Sequence, residues 1–541
     1  MSPPRPPAPI PPGERRAAEA DIAFLLEGTF PYVSGGVSSW VNTLLRGFPE
    51  LRFAIYFLGS RPDDYGPMRY ELPANVVHFE THYLFDTEGR PPQRDAHTDA
   101  AAFDKVRELH EHWRSPQRGA AMPDVDALFG AVIDEMDDRL DESHFLRGDR
   151  AWGYINEQYT AQCADPSFVD YFWTVRMMHA PLWRLQRLAA GMIPVRAFHT
   201  VSTGYAGLLG AMCQRRWRRP LVLSEHGIYT KERKIDLFSA RWIADNRTAL
   251  QRDATQLSYF RDMWIRFFEG IGRACYDASN PIIALYESNR QRQVLDGAAA
   301  ERTTCIANGI SIPTFAPLRA LRPAAVPQVL CLIGRVVPIK DVKTFVRAMR
   351  TVVNRLPEAQ GWIAGPTDED PDYGRECEAL VAGLGLQAHV KFLGFQRLTE
   401  LLPKVGLVVL SSISEALPLV LLEGFAAGVP AVSTDVGSCR QLIEGLPGDD
   451  AALGRAGRVV SLADPRALAD AAVELLADPQ AWAAAAASGI ARVERYYALD
   501  TMLDRYREVY DGALAQTAAA SGGESPGGSV SVPSGEPTWP A

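Results

Sequence analysis

Two acidic residues, Glu415 and Glu423, stand eight positions apart in SSISEALPLVLLEGFAAGVPAVST, Ser411 to Thr434. The apolar run Leu407 to Leu410 just before it reads as a buried strand. Pro418 suits the first position of a helix, where its missing N–H costs nothing, and Gly428 followed by Pro430 ends that helix. Glu415 then falls in a strand-to-helix loop and Glu423 inside the helix, about 12 Å apart at helical rise. That spacing puts one carboxylate at each end of an elongated polar ligand. The helix start between them offers free N–H groups and a positive dipole end, which favour an anion such as phosphate. Glu423 lies among Leu421, Leu422, Phe425 and Ala426. A carboxylate in such surroundings needs donors, and a ribose diol supplies two hydroxyls. The plain alternative is a pair of solvated glutamates on an amphipathic helix.

Two cations join them. In GRVVPIKD a strand ends at Ile333 and a helix begins near Asp341, so Arg335 and Lys340 lie on a loop at the carboxyl edge of a sheet. Arg as a fork and Lys as a point charge together suit a diphosphate. Three further signals are weaker. Gly35–Gly36, after the first strand, lets backbone approach a ligand, but it matches neither GxGxxG nor a P-loop. His226 ends a strand between Glu225 and Gly227 and reads equally as a buried structural histidine or a ligand contact. Asp368–Glu369–Asp370 has the DxD form of a divalent-metal site, yet it sits in the polar loop TDEDPDYGRE and reads as solvated; no metal is expected.

These residues need scaffolds to hold them. Strand, glycine loop and helix follow one another in DIAFLLEGTFPYVSGGVSSWVNTLLRGF, with Val37, Trp40, Val41, Leu44 and Leu45 at helical spacing. FAIYFLG and VVHFE add strands, implying a parallel sheet with covering helices. A helical, acidic and aromatic insertion occupies about 81–195, after which the alternation resumes through AFHTVS and PLVLSEHGIY. A second helical stretch covers roughly 229–278. The expected divisions are a disordered Pro-rich N-terminus (1–19), a first Rossmann-like domain (20–310), a linker (311–327), a second Rossmann-like domain (328–498), a late amphipathic helix (499–516), and a disordered tail (517–541). The fold class is therefore α/β, with two facing doubly wound domains and a ligand between the carboxyl ends of their strands.

Composition narrows the function. A chain of 541 residues with 47% hydrophobic and 22% charged residues is that of a soluble multidomain protein. A net charge of −9 argues against bulk nucleic-acid binding, and the one dense basic run, Arg215 to Arg219, reads as a helix end. No apolar run reaches membrane-spanning length, and the stretch MSPPRPPAPIPPGERR lacks the apolar core expected of a secretory signal. Seven scattered cysteines without metal spacing suit a reducing cytoplasm.

The Glu415-to-Glu423 spacing, GRVVPIKD, the double-glycine loop and IANGI together resemble the family 4 retaining glycosyltransferases of the GT-B fold. Within them, EGTFPYVSGGVSSW, SEHGIYTKER and ISEALPLVLLEGF resemble the PelF-type enzymes of Pel exopolysaccharide synthesis. Where the family often has glycines, this chain has Glu415–Ala416–Leu417–Pro418. The resemblance implies that Arg335 and Lys340 hold the donor pyrophosphate and that Glu423 binds the ribose hydroxyls. It implies that Glu415 contacts the donor sugar, that His226 lies by that sugar, and that Gly35–Gly36 approach donor phosphate or acceptor. Gly394 and Phe395 would flank the uracil.

The implied activity is metal-independent hexosyl transfer from a UDP-sugar, UDP-glucose foremost, to a growing polysaccharide. No cofactor beyond the donor is expected. The setting is cytoplasmic, with peripheral association to an inner-membrane polysaccharide export complex. Arg335, Lys340 and the helix dipole would stabilise the charge growing on the leaving diphosphate, an effect for which single preorganised donors contribute about 3–4 kcal/mol. Competing readings are a GT-B epimerase, a pyridoxal-dependent phosphorylase, or a non-catalytic nucleotide-sugar sensor or scaffold of a membrane synthase.

Overall fold

A computed structural model describes residues 17–85, 99–114, 125–140, 142–240, 242–247 and 257–521. The chain divides into two units, the first running to Cys305 and taking in residues from Glu508, the second running from Ile306 to Arg507. The sheet of the first unit holds β1 (Ala20–Glu27), β2 (Phe53–Gly59), β3 (Val76–Tyr83), β4 (Val195–Thr200), β5 (Leu221–Glu225), β6 (Ile282–Ala284) and β7 (Thr303–Cys305), in the order β3-β2-β1-β4-β5-β6-β7. The second sheet holds β8 (Val329–Ile333), β9 (Gln360–Ala364), β10 (Val390–Gly394), β11 (Leu407–Leu410), β12 (Ala431–Thr434) and β13 (Gly457–Val460), in the order β10-β9-β8-β11-β12-β13. Every paired register in both sheets is parallel. Strands such as FAIYFLG and LVVL are apolar throughout because helices cover both faces of a parallel sheet. Each order reverses direction once, at β1/β4 and at β8/β11, and loops at such a reversal leave a crevice at the carboxyl ends of the strands.

Between β3 and β4, among the described residues, the first unit inserts five helices, Ala100–Arg114, Val125–Asp138, Glu142–Arg147, Asp149–Gln162 and Phe168–Gly191. The helices Tyr229–Ser239 and Tyr259–Ala278 lie between β5 and β6. Their apolar faces share one core with the first sheet, in which Phe103, Phe145, Trp183, Phe260 and Trp264 are buried. No helix among the described residues is long and apolar enough to cross a membrane.

Two expectations about the ends and joints need correction. Residues 311–327 are not a free spacer. A short helix (Ile312–Phe315) and a 3-10 turn (Ala316–Leu321) bury Phe315 and Leu318. Arg319 Nε donates to the Ala426 carbonyl at 2.7 Å, and Arg322 donates to the carbonyls of Leu402 and Val405 at 3.0 and 2.8 Å. Four prolines in the segment hid these turns, since proline at the start of a helix leaves no periodic signature. The final helix, Leu499–Ser521, runs five residues past the expected end at 516. Its latter part packs in the first unit: the Tyr510 hydroxyl bonds His199 Nδ1 at 2.9 Å, the Tyr510 ring lies 5.2 Å from that of Phe48, and Thr517 Oγ1 donates to the Arg196 carbonyl at 2.6 Å. The expected disordered ends fall, at 1–16 and 522–541, outside the described residues.

Candidate active site

In the second unit, the loops after β8 and β11 meet at the reversal of strand order. Lys340 Nζ donates to Glu415 Oε1 at 2.6 Å, and Ser412 Oγ donates to the same oxygen at 2.6 Å. Both members of the ion pair are mostly buried, with side-chain exposures of 19% and 12%. Backbone bonds fix the two loops against each other. Ile413 N donates to the Ile339 carbonyl at 2.8 Å, and Ser411 Oγ lies 2.9 Å from the carbonyls of Lys340 and Asp341. Asp341 adopts a left-handed conformation, φ 43°, and its side chain caps the following helix by accepting from Thr344 N at 3.3 Å. A tight local turn thus aims Lys340 back at the crevice. Gly437 completes the arrangement. Its φ is +54°, and a Cβ there would stand 2.2 Å from the Glu415 carbonyl oxygen, so only glycine lets the loop after β12 lie against Glu415.

Arg335, at the start of the same loop, pairs instead with Glu369, donating from Nη1 to both carboxylate oxygens at 2.5 and 2.6 Å. Both side chains are about half exposed, so the pair is weak and an incoming anion can displace the glutamate. The Asp368–Glu369–Asp370 run is a solvent-facing loop, with Asp368 and Glu369 exposed, and two of its carboxylates also have local partners. Glu369 neutralises Arg335, and Asp370 caps the helix Pro371–Gly383 by accepting from Tyr373 N at 3.0 Å. Among the described residues no cluster of His, Cys, Asp or Glu has the arrangement of a metal site.

Glu423 lies on the helix Leu419–Ala426, with Leu421, Leu422 and Phe425 fully buried around it. Burial pushes its carboxyl up to about 7. The interval from Glu415 to Glu423 is not one helical stretch, because Pro418 is the N-cap and the residues before it are loop; helical rise therefore does not measure the separation. Lys340 and Glu415 touch directly, whereas among the described residues no hydrogen bond links Glu423 or Arg335 to that pair. Gly394 closes β10 at φ +62°, and Phe395 beside it is 81% exposed, an open aromatic face at the rim of the second sheet.

The first unit carries its own crevice, a cavity of about 850 Å³ at the β1/β4 reversal. Glu27 ends β1 and Thr29 follows it, Ser202 and Tyr205 follow β4, and His226 follows β5. Glu27 accepts from the Tyr229 hydroxyl and from Ala206 N, each at 3.1 Å, while Arg233 Nη2 donates to that hydroxyl at 2.9 Å. Gly204 permits this network, since a Cβ there would lie 2.5 Å from Glu27 Oε2. His226 is buried, its ring 4.4 Å from Trp40, and burial pulls its pKa down to about 3, so it is neutral near pH 7. Its neighbour Glu225 is instead enclosed by donors. Thr203, Tyr229 N, Tyr276 and Gln293 all donate to it, and burial raises its pKa.

Among the described residues lining this cavity, five buried polar atoms lack a hydrogen-bond partner: Thr29 Oγ1, Ser202 Oγ, Tyr205 OH, His226 Nε2 and Arg233 Nε. Leaving one such group unpaired costs about 1–3 kcal/mol, so their clustering marks a place that takes polar guests. Gly35 and Gly36 lie outside that lining, at the start of the helix Gly36–Gly47, with open space where a Cβ would stand. Glu27, Tyr205, Tyr229 and Arg233 were not singled out from sequence. They come from three separate segments, and only the sheet order brings them together. The available signal was EGTF ending the first strand, a carboxylate at a carboxyl edge like that of Glu415.

Residues 20–301 match the family model described as domain of unknown function DUF3492, and residues 327–478 match glycosyl transferases group 1. An exopolysaccharide phosphotransferase of Streptomyces coelicolor is 36% identical over 164 residues, 29% of this chain and 16% of that protein. The lipopolysaccharide core biosynthesis mannosyltransferase LpsB of Rhizobium meliloti is 28% identical over 220 residues, 39% of this chain and 61% of LpsB. The chain thus spans less than two thirds of either relative. Among solved structures, Anabaena HepE in complex with UDP and glucose superposes with a TM-score of 0.51 at 15% identity, covering 91% of this chain and all of the other. That likeness establishes the fold. With more than half its length in one family model and a second model over its latter sheet, the chain belongs to the DUF3492 family, carries a group 1 glycosyltransferase domain, and has the GT-B fold.

Proposed function

We propose that this protein transfers a hexose from a UDP-sugar, UDP-glucose foremost, to a growing exopolysaccharide of the Pel type, with retention of configuration and without a metal. The observation that carries the reading is the Lys340–Glu415 pair at the β8/β11 reversal, with Arg335 at the start of the same loop. The name of the Streptomyces relative and the UDP and glucose held by HepE support a polysaccharide product and a UDP-linked donor. In the reaction the bond between the anomeric carbon and the donor phosphate oxygen breaks. A bond from an acceptor hydroxyl oxygen to that carbon forms, and the hydroxyl proton leaves with the phosphate of UDP.

Negative charge grows on the diphosphate as the bond breaks. Lys340 and Arg335 stabilise it, Arg335 exchanging Glu369 for phosphate oxygens. Glu415, already oriented by Lys340 and Ser412, accepts from hydroxyls of the donor sugar. Glu423 takes the ribose diol, whose two O–H donors suit a carboxylate in apolar surroundings. Phe395 and Gly394 flank the uracil. The site of action is the cytoplasm, with peripheral attachment to a membrane export complex.

A calorimetric screen of UDP, GDP, ADP and their hexose conjugates tests the donor. UDP and one UDP-hexose should bind, and chelator should leave UDP release unaffected. Preference for GDP or ADP, or a binding-competent protein that releases no UDP with any saccharide acceptor, would remove the proposal.

A further inference from the structure

The inserted helices of the first unit enclose a further cavity, of about 300 Å³, that shares no lining residue with the crevice at the sheet edge. Its walls come from the helices Ala100–Arg114, Glu142–Arg147, Asp149–Gln162, Phe168–Gly191 and Tyr259–Ala278. Phe103, Phe145, Ile155, Tyr171, Met178 and Phe267 are buried around it. The polar groups of this lining already have partners. His179 Nδ1 donates to the Val175 carbonyl at 2.7 Å, His179 Nε2 lies 3.0 Å from His110 Nε2, and the Tyr154 hydroxyl lies 3.3 Å from His110 Nδ1. Among the described residues, no buried side-chain nitrogen or oxygen of the lining is unpaired, whereas the crevice has five such atoms. A guest with hydroxyls on all sides would find nothing to bond here, at a cost for each stranded group. Whatever fills the hollow is therefore apolar over its buried length.

The rim is charged. Arg176, Asp262 and Arg266 line it, and Arg266 Nη2 donates to Asp262 Oδ2 at 2.6 Å. Arg176 has no carboxylate partner among the described residues. Its guanidinium carbon lies 5.3 and 5.7 Å from the ring centroids of Phe172 and Trp173. Burial, and after it the charge of Arg147, lowers its pKa, yet a guanidinium stays charged. A half-buried cation without a counter-ion, at the mouth of an apolar hollow, suits an anion carried on an apolar body. Size and shape narrow that body. At the share of about 30 Å³ that a water takes in the liquid, the hollow holds about ten non-hydrogen atoms. His110, Phe145 and His179 also line a void of about 30 Å³ further in, bounded by side chains such as Leu109, Leu140 and Trp183. The hollow thus tapers inward, which fits a chain better than a fused ring, and Met178 and Met263 in its wall adapt to a flexible guest. We propose that the inserted helices hold a binding site for a free single-chain acyl carboxylate of about ten carbons. The chain lies among Phe103, Ile155, Met178 and Phe267, and Arg176 takes the carboxylate. This site is separate from the transfer chemistry and does not depend on the glycosyl-transfer reading.

The test is a calorimetric titration of the full-length protein with decanoate below its micellar concentration, and with decanol, naphthoate and acetate. Decanoate should saturate at a single equivalent per chain. Decanol should bind about tenfold more weakly, the scale of one hydrogen bond to a charged group. Naphthoate should bind more weakly than decanoate, and acetate should not bind. Arg176→Gln should lower decanoate affinity by about the same factor and leave decanol unchanged. Ala151→Leu fills part of the hollow from its buried wall and should weaken decanoate and decanol alike. Lack of saturable decanoate binding overturns the proposal, as does equal affinity for decanoate and decanol, or tighter binding of naphthoate. So does wild-type decanoate affinity in either variant. Arg176 stands at the rim, so its variant decides the matter alone if Ala151→Leu does not fold.

Discussion

Glu423→Gln isolates one buried carboxyl. Burial raises its pKa from 4.5 to about 7. The difference, about 2.5 units, corresponds to about 3 kcal/mol at about 1.4 kcal/mol per unit. The sign follows from proton counting. Below the unfolded value both states hold the proton and the group contributes no pH dependence. Between 4.5 and about 7 the folded state keeps a proton that the unfolded chain has released, so stability falls as pH rises; above that range the loss levels off. Glutamine has no such proton. Denaturant unfolding of wild type and variant from about pH 5 to about pH 8 should show wild type losing up to about 3 kcal/mol relative to the variant.

Other titrations cancel in that comparison. A difference flat across the range would refute the assignment of an apolar, partnerless setting to this side chain. The same proton reports on the ligand. Ribose hydroxyls favour the charged form, so UDP binding near pH 6.5 should release more protons from wild type than from the variant, read by calorimetry in buffers of unlike ionisation enthalpy.

Lys340→Ala removes the donor that orients Glu415, and UDP-hexose turnover should fall by about 10²–10³-fold, with UDP affinity also reduced; unchanged UDP affinity in both Lys340→Ala and Arg335→Ala would exclude the diphosphate role. Gly437→Ala puts a Cβ 2.2 Å from the Glu415 carbonyl at a positive φ, and should cost at least about 1–2 kcal/mol in the unfolding free energy while weakening the donor. Asp450→Ala strands Arg492, which is fully buried and bonds Asp450 Oδ1 at 2.5 Å and the carbonyls of Ile443 and Gly454 at 2.9 and 2.8 Å. A loss of about 3–5 kcal/mol in denaturant unfolding is expected.

Strand ends were the most legible feature of the sequence. Leu407 to Leu410 is a strand at just those bounds, and the loop of Arg335 and Lys340 runs between Ile333 and Asp341 as expected. Continuous apolar runs bounded by glycine and proline carry that information locally. Contacts between segments distant in sequence do not show in this way. The choice of Glu369 as Arg335's partner is set by two neighbouring loops, 34 residues apart. The Glu27–Tyr229–Arg233 network joins residues about two hundred positions apart through the order of strands. The 311–327 segment misled for another reason: its prolines fix short turns whose burial depends on carbonyls of Leu402, Val405 and Ala426.

The helix Leu499–Ser521 sets an order of events at the ribosome. Phe48 and His199 of the first unit are covered by Tyr510, which emerges only after the entire second unit has been made. During synthesis the earlier sheet must therefore wait with an apolar seam uncovered. A fragment ending near Cys305 inherits that seam permanently, and should gain solubility when a peptide spanning 499–521 is supplied in trans.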